Sequence, residues 1–262
     1  PVITSNRINT PAVAERVLAN GDADLISMAR PFLADPEFVN KAAANQAERI
    51  NTCIGCNQAC LDHVFNGKTS SCLVNPRACE ETRIIIAPTQ AIKTIAIVGA
   101  GPAGLACAVT AAERGHKVTL YDAASEIGGQ FNIAKRIPGK EEFSETLRYF
   151  EVRLAELNVE VKLNTSLTTQ ALNQMQVDEL VLATGVSPRQ LALPGHNHAK
   201  VLNYLEVIKG VNVGPKVAII GAGGIGLVYA ENMRLWHWDV VTFITLCLMI
   251  ILLIFDKFSS WV

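Results

Sequence analysis

Thr94–Val98 is a short apolar, β-branched run that breaks into Gly99-Ala100-Gly101-Pro102-Ala103-Gly104 and resumes as a helix-forming stretch through Arg114. This order prescribes strand, tight turn and helix. The first glycine permits the turn, the second lets backbone approach a pyrophosphate, and the third lets the helix lie close on the strand. The helix N-terminus then faces the negative charge. A second strand, Lys117–Tyr121, ends at Asp122, about twenty residues on, where a carboxylate can accept ribose hydroxyl bonds. A purely structural glycine turn is the alternative, and strand, helix and acid in sequence weigh against it. Further strands are expected at 159–163 and 179–183, the latter running into Thr184-Gly185. Glu126-Ile127-Gly128-Gly129-Gln130 offers backbone access beside a ligand, although a plain turn would read the same.

The pattern restarts about 120 residues later, with a strand expected at 216–220 followed by Gly221-Ala222-Gly223-Gly224-Ile225-Gly226. Its continuation is different. Trp236-His237-Trp238 and a sixteen-residue uncharged run, 240–255, stand where a second strand and a ribose-reading residue belong. A phosphate loop without a completed site is the expectation there.

The N-terminal segment reads β-α-β: a strand at 1–5, a helix at 11–20 with Thr10 as N-cap and Pro11 in its first turn, and a strand at 23–28. A helix follows at 36–45. Strand, helix and strand require a parallel sheet, and two strands do not complete one. Arg7 and Ala29-Arg30-Pro31 follow the two strand ends, where a cation suits a phosphate. A surface arginine is the alternative for each.

Cys53-x2-Cys56-x3-Cys60-x11-Cys72 places four of the seven cysteines within twenty residues. Four thiolates hold an iron–sulfur cluster or zinc. Three thiols from one tight loop and a fourth arriving later suit a cubane better than the paired hairpins of zinc sites. Unconnected buried thiols are the remaining reading. Cys79 and Cys107 fall outside the spacing, and His63 is expected to be a solvated loop histidine. Seven cysteines, an odd number, with no signal peptide, point to a reducing compartment, hence a cytoplasmic chain. Half the residues are hydrophobic and 18% are charged, which excludes a disordered chain. A net charge of −1 gives no support for nucleic acid as a partner.

With these residues in order, the chain resembles the bacterial NADPH-dependent 2,4-dienoyl-CoA reductases, within the old-yellow-enzyme-like iron–sulfur flavoprotein group. SNRIN, DLISMARPFLADPEF, CIGCNQAC, CLVNPRAC, GAGPAGLA, EIGGQFNIAKRIPGKEEF and VLATG carry the resemblance, over residues 1–226. It implies an α/β chain: residues 1–50 as the remnant of a TIM-type flavin barrel, 51–92 as the iron–sulfur loop and linker, 93–200 as a Rossmann-like FAD domain, and 201–226 as the start of an NAD(P) domain. It implies FMN at Arg7, Ala29 and Arg30, with Arg30 at the phosphate. Cys53, Cys56, Cys60 and Cys72 match [4Fe-4S] ligands. Gly99, Gly101, Ala103, Gly104, Asp122, Gly129, Gln130 and Leu167 match an FAD site, and Gly221, Gly223, Gly224 and Gly226 match the start of an NADP site. Electrons would pass from NADPH to FAD, to the cluster, to FMN and to an unsaturated acyl-CoA.

The resemblance places the proton-donating residues upstream of this chain, so no catalytic acid is assigned, and the isolated chain is expected not to be a competent reductase. Residues 227–262 match nothing in that family. They read either as the product of a frameshifted coding end or as a membrane anchor. Sixteen residues at 1.5 Å each give about 24 Å, short of the ~30 Å hydrocarbon core. Two other readings stand beside the reductase. One is a non-catalytic cofactor-binding or membrane-associated remnant, and the other a different member of the group, of NADH oxidase or amine dehydrogenase type.

Overall fold

The computed structural model describes residues 1–187 and 194–219. Residues 1–210 form one compact unit and 211–262 a second.

The first unit opens with β1 (Ile3–Ser5), α1 (Pro11–Ala19) and β2 (Leu25–Ser27). The Thr10 hydroxyl accepts the Val13 N–H and Pro11 occupies the first turn, as the sequence predicts. β1 and β2 pair in parallel, with Ile3 opposite Leu25. A short helix not expected from the sequence, α2 (Arg30–Ala34), precedes α3 (Phe38–Ala43), which is the helix expected at 36–45, shorter at both ends. The break between them falls at Asp35, whose carboxylate accepts the Glu37 N–H, ahead of Pro36 in a segment that cannot continue a helix ladder. A single 3-10 turn (Ala47–Arg49) leads into the cysteine loop, which carries α4 (Leu61–Phe65).

Next come β3 (Thr94–Val98), α5 (Pro102–Glu113), β4 (Lys117–Tyr121), α6 (Phe131–Ala134), α7 (Phe143–Glu156), β5 (Glu160–Lys162), α8 (Thr169–Asn173) and β6 (Glu179–Leu182). All four strands are parallel, in the order β5-β4-β3-β6. In such a doubly wound sheet ligands bind where strand order reverses, here between the C-terminal ends of β3 and β6. Ile97, Val118 and Leu120 pack against Leu105, Ala108 and Val109 of α5 and Leu147 and Leu154 of α7. Ile97, Leu105 and Leu120 are fully buried, each contributing about 2 kcal/mol. α9 (Tyr204–Ile208) closes the unit with a capping box between Asn203 and Glu206.

In the second unit, only residues 211–219 are described. The strand expected at 216–220 does not form over 216–219, where Val217 and Ile219 are exposed and have no strand to pair with among the described residues. Gly221, Gly223, Gly224, Gly226 and the run 240–255 lie outside the described residues. No helix among the described residues is long and apolar enough to cross a membrane.

Candidate functional site

Three neighbouring features of the first unit collect the residues singled out by sequence. The first is the crevice at the β3 C-terminus. Gly99 adopts φ +109, and a Cβ there would lie 2.2 Å from the Ala183 carbonyl oxygen. Gly104 would place a Cβ 1.8 Å from the Gly99 carbonyl oxygen. These two glycines close the helix onto both strands. Gly101 is the N-cap of α5, and a side chain there would meet nothing within 4 Å. Backbone N–H groups at this helix end are therefore open to an anion. Ala103, Gly129 and Gln130 are exposed around it, and a Cβ on Gly129 would stand 3.1 Å from the Gly101 Cα. Gln130 donates to the Val186 carbonyl oxygen at 3.0 Å, joining the Gly128–Gln130 turn to the segment after β6. Asp122 accepts the Ala100 N–H at 2.5 Å and the Ala124 N–H at 2.7 Å. Its carboxylate therefore shapes the glycine turn as well as standing at the end of β4. Leu167 is half-buried, beyond a segment tied to this corner by Thr165 N–H donating to the Asp122 carbonyl oxygen.

The second feature is the cysteine loop. Cys53, Cys56, Cys60 and Cys72 line one narrow hollow of ≈10 Å³ with Leu33, Ile54, Ala59, Leu73, Val74 and Asn57, and with Arg30 at its side. Burial pushes the Cys53 and Cys72 thiols up. The Gly55 N–H and the Arg30 guanidinium draw Cys53 back. The donor set fits a thiolate-ligated group: four half-buried sulfurs in a wall that is apolar apart from Asn57 and Arg30. No three His, Cys, Asp or Glu side chains among the described residues gather tightly enough for a single metal ion. Asn9 donates to the Cys53 carbonyl oxygen at 2.8 Å, and Asn51 donates to that of Val74 at 2.9 Å, fixing both ends of the loop. The Asn51 N–H in turn donates to buried Asp35, which also takes Lys41 at 2.6 Å.

The third is a cleft of ≈340 Å³ at the C-terminal ends of β1 and β2, lined by Arg7, Ala29, Arg30, Cys53, Gly55 and Glu142. Arg7 sits at φ +50 and pairs with Glu142 at 2.9 Å. Arg30 hydrogen-bonds the neutral Asn57 oxygen at 2.6 Å, and among the described residues no carboxylate pairs with it. Arg30 and Cys53 belong to both the cleft and the thiol hollow.

Residues 93–251 match the family described as pyridine nucleotide-disulphide oxidoreductase. The chain belongs to this family. This match runs past Gly226 to residue 251. Residues 1–49 match the NADH:flavin oxidoreductase / NADH oxidase family. The chain is 41% identical over 232 residues to a metal reductase of Desulforamulus reducens, covering 87% of this chain and 35% of that protein. It is 36% identical to a cinnamate reductase of Clostridium sporogenes, covering 86% of this chain and 34% of the relative. The solved complex of a 2-naphthoyl-CoA reductase with 2-naphthoyl-CoA superposes with a TM-score of 0.78 at 36% identity, over 82% of this chain and 33% of that one. The chain thus spans about a third of the length of these relatives.

Glu142, Asn57 and Arg148 carry no local sequence signal for a site. Arg148 of α7 donates to the carbonyl oxygens of Glu48 and Ile50 and to the Thr52 hydroxyl, immediately before Cys53. Partners far along the chain reveal these roles: Arg30 for Asn57, Arg7 for Glu142 and Ile50 for Arg148.

Proposed function

We propose that this chain is the electron-supplying part of an iron–sulfur flavoenzyme that reduces an unsaturated acyl-CoA of the 2,4-dienoyl type with NADPH. FAD would lie on the β3–β6 crevice, a [4Fe-4S] cluster on Cys53, Cys56, Cys60 and Cys72, and the FMN phosphate at Arg30. The observation that carries this reading is the shared wall: Arg30 and Cys53 line both the thiol hollow and the larger cleft. When bound, these groups supply two-electron exchange at the flavins and one-electron exchange between them.

The chain's own residues bind and orient. Gly101 and Gly129 leave backbone open to a pyrophosphate. Arg30, held by a neutral partner, keeps its charge for a phosphate. Leu33, Ile54 and Val74 shield part of the thiol hollow from water. The relatives are described as metal, cinnamate and naphthoyl-CoA reductases, which supports a common electron supply serving different acceptors.

The test is the absorption spectrum of the anaerobically purified chain, with iron, sulfide and flavin counted. About four iron per chain and a broad band near ~400 nm bleached by dithionite are expected. Zinc in place of iron would give the cysteines a structural role, and neither metal nor flavin would overturn the reading. The dienoyl-CoA assignment predicts no NADPH-dependent turnover by this chain alone, and robust turnover would contradict that.

A further inference from the structure

The Arg7–Glu142 ion pair lies beside Gly55 of the cysteine loop. A Cβ on Gly55, between Cys53 and Cys56, would stand 3.1 Å from the Glu142 carboxylate oxygen and 3.8 Å from the Arg7 guanidinium nitrogen. Gly55 adopts φ +64, so the loop is shaped to admit this pair. The two charges are screened unequally. The Glu142 side chain is 26% exposed and that of Arg7 is 60% exposed. Water weakens the field of the wetter group. The carboxylate is both nearer and drier, so the pair leaves a negative bias on the loop. Arg30, which lines the same cleft as this pair, also reaches the hollow as a cation beside Cys53.

We propose that Glu142 is a positioning residue that holds Arg7 against the cysteine loop and lowers the reduction potential of the group bound there. This rests on the cluster reading above. Adding an electron makes a thiolate-ligated cluster more negative, so a nearby carboxylate disfavours the reduced state and a nearby guanidinium favours it.

The experiment is a dithionite titration of the full, iron-loaded chain, followed by the electron paramagnetic resonance of the reduced cluster. Dithionite donates one electron per cluster and is itself oxidised. Glu142→Gln should move the midpoint to higher potential. Arg7→Gln should move it lower, and by less. The double variant should fall between the two, and Glu142→Asp, which keeps the charge, should stay near wild type. Single variants that shift in the same direction, or not at all, overturn the proposal. So does loss of iron from Glu142→Gln while Glu142→Asp and Arg7→Gln keep it at wild-type potential, since that describes a latch without a field. A wild-type chain that takes up no iron overturns the cluster reading itself, a distinct failure.

Discussion

Gly104 faces the Gly99 carbonyl oxygen so closely that a methyl group cannot be added without moving the first turn of α5 off β3. Gly104→Ala should destabilise the fold by about 1–3 kcal/mol and abolish FAD retention. Denaturant unfolding together with flavin titration measures both, and unchanged flavin binding would show that the crevice tolerates a wider turn. Asp35 is a second single-residue determinant. Its carboxylate is 3% exposed and serves the Glu37 N–H, the Asn51 N–H and Lys41. Lys41→Met should cost about 2 kcal/mol, below the ~3–5 kcal/mol of a fully buried pair because the lysine side is a quarter exposed. Equilibrium unfolding reads it directly.

At the scale of elements, α7 joins the dinucleotide region to the cysteine loop. Leu147 lies under Gly128, where a Cβ would approach it to 2.8 Å, and Arg148 grips the backbone ahead of Cys53. Arg148→Ala should release iron several-fold faster under a chelator while leaving flavin binding at Gly101 intact, and parallel loss of both would make α7 a purely structural strut. β3 and β6 are aligned by Asp178, whose carboxylate accepts the Thr94 N–H and hydroxyl, each at 2.7 Å. These bonds hold the Asp178 carboxyl below the usual aspartate range. A depressed folded-state value contributes stability above the unfolded pKa that is lost as pH falls through the folded one. Asp178→Asn should therefore flatten the acid limb of the stability profile below about pH 4 and leave the neutral slope unchanged. Where local pattern decides, these elements were legible in the sequence. The β3 turn and the Thr10 cap need only neighbours in the chain, and the parallel β3–β4 pair needs only the α5 crossover between its strands. α7's role was not legible, because Arg148 and Glu142 take their meaning from Thr52 and Arg7, brought near by folding. The helix at 36–45 forms but starts later, because the Asp35 carboxylate, engaged with Glu37, Lys41 and Asn51, holds the chain in a turn ahead of Phe38. The four cysteines line one hollow, and their spacing within twenty residues already kept them close in the chain.

Over the whole molecule, the two sheets differ in how well they are covered. The β3–β4 core is sealed by α5 and α7, whereas Val2, Ile3 and Leu25 beside the β1–β2 pair are each more than half exposed. Two three-residue strands bury too little to stand alone, and such an apolar edge favours association. The chain should show concentration-dependent sedimentation, and Ile3→Lys with Leu25→Lys should reduce it. Invariant sedimentation would mean that this edge is covered. The shared wall of the two cavities has a consequence for building hybrids with the relatives. Because Arg30 and Cys53 each serve two neighbours, a chimaera that exchanges acceptor halves cannot be spliced anywhere from α2 to the first cysteine. Its junction belongs either ahead of β1 or well past Cys72, so the shortest stretch that can be inherited whole already carries one cavity's cation and the other's first thiol.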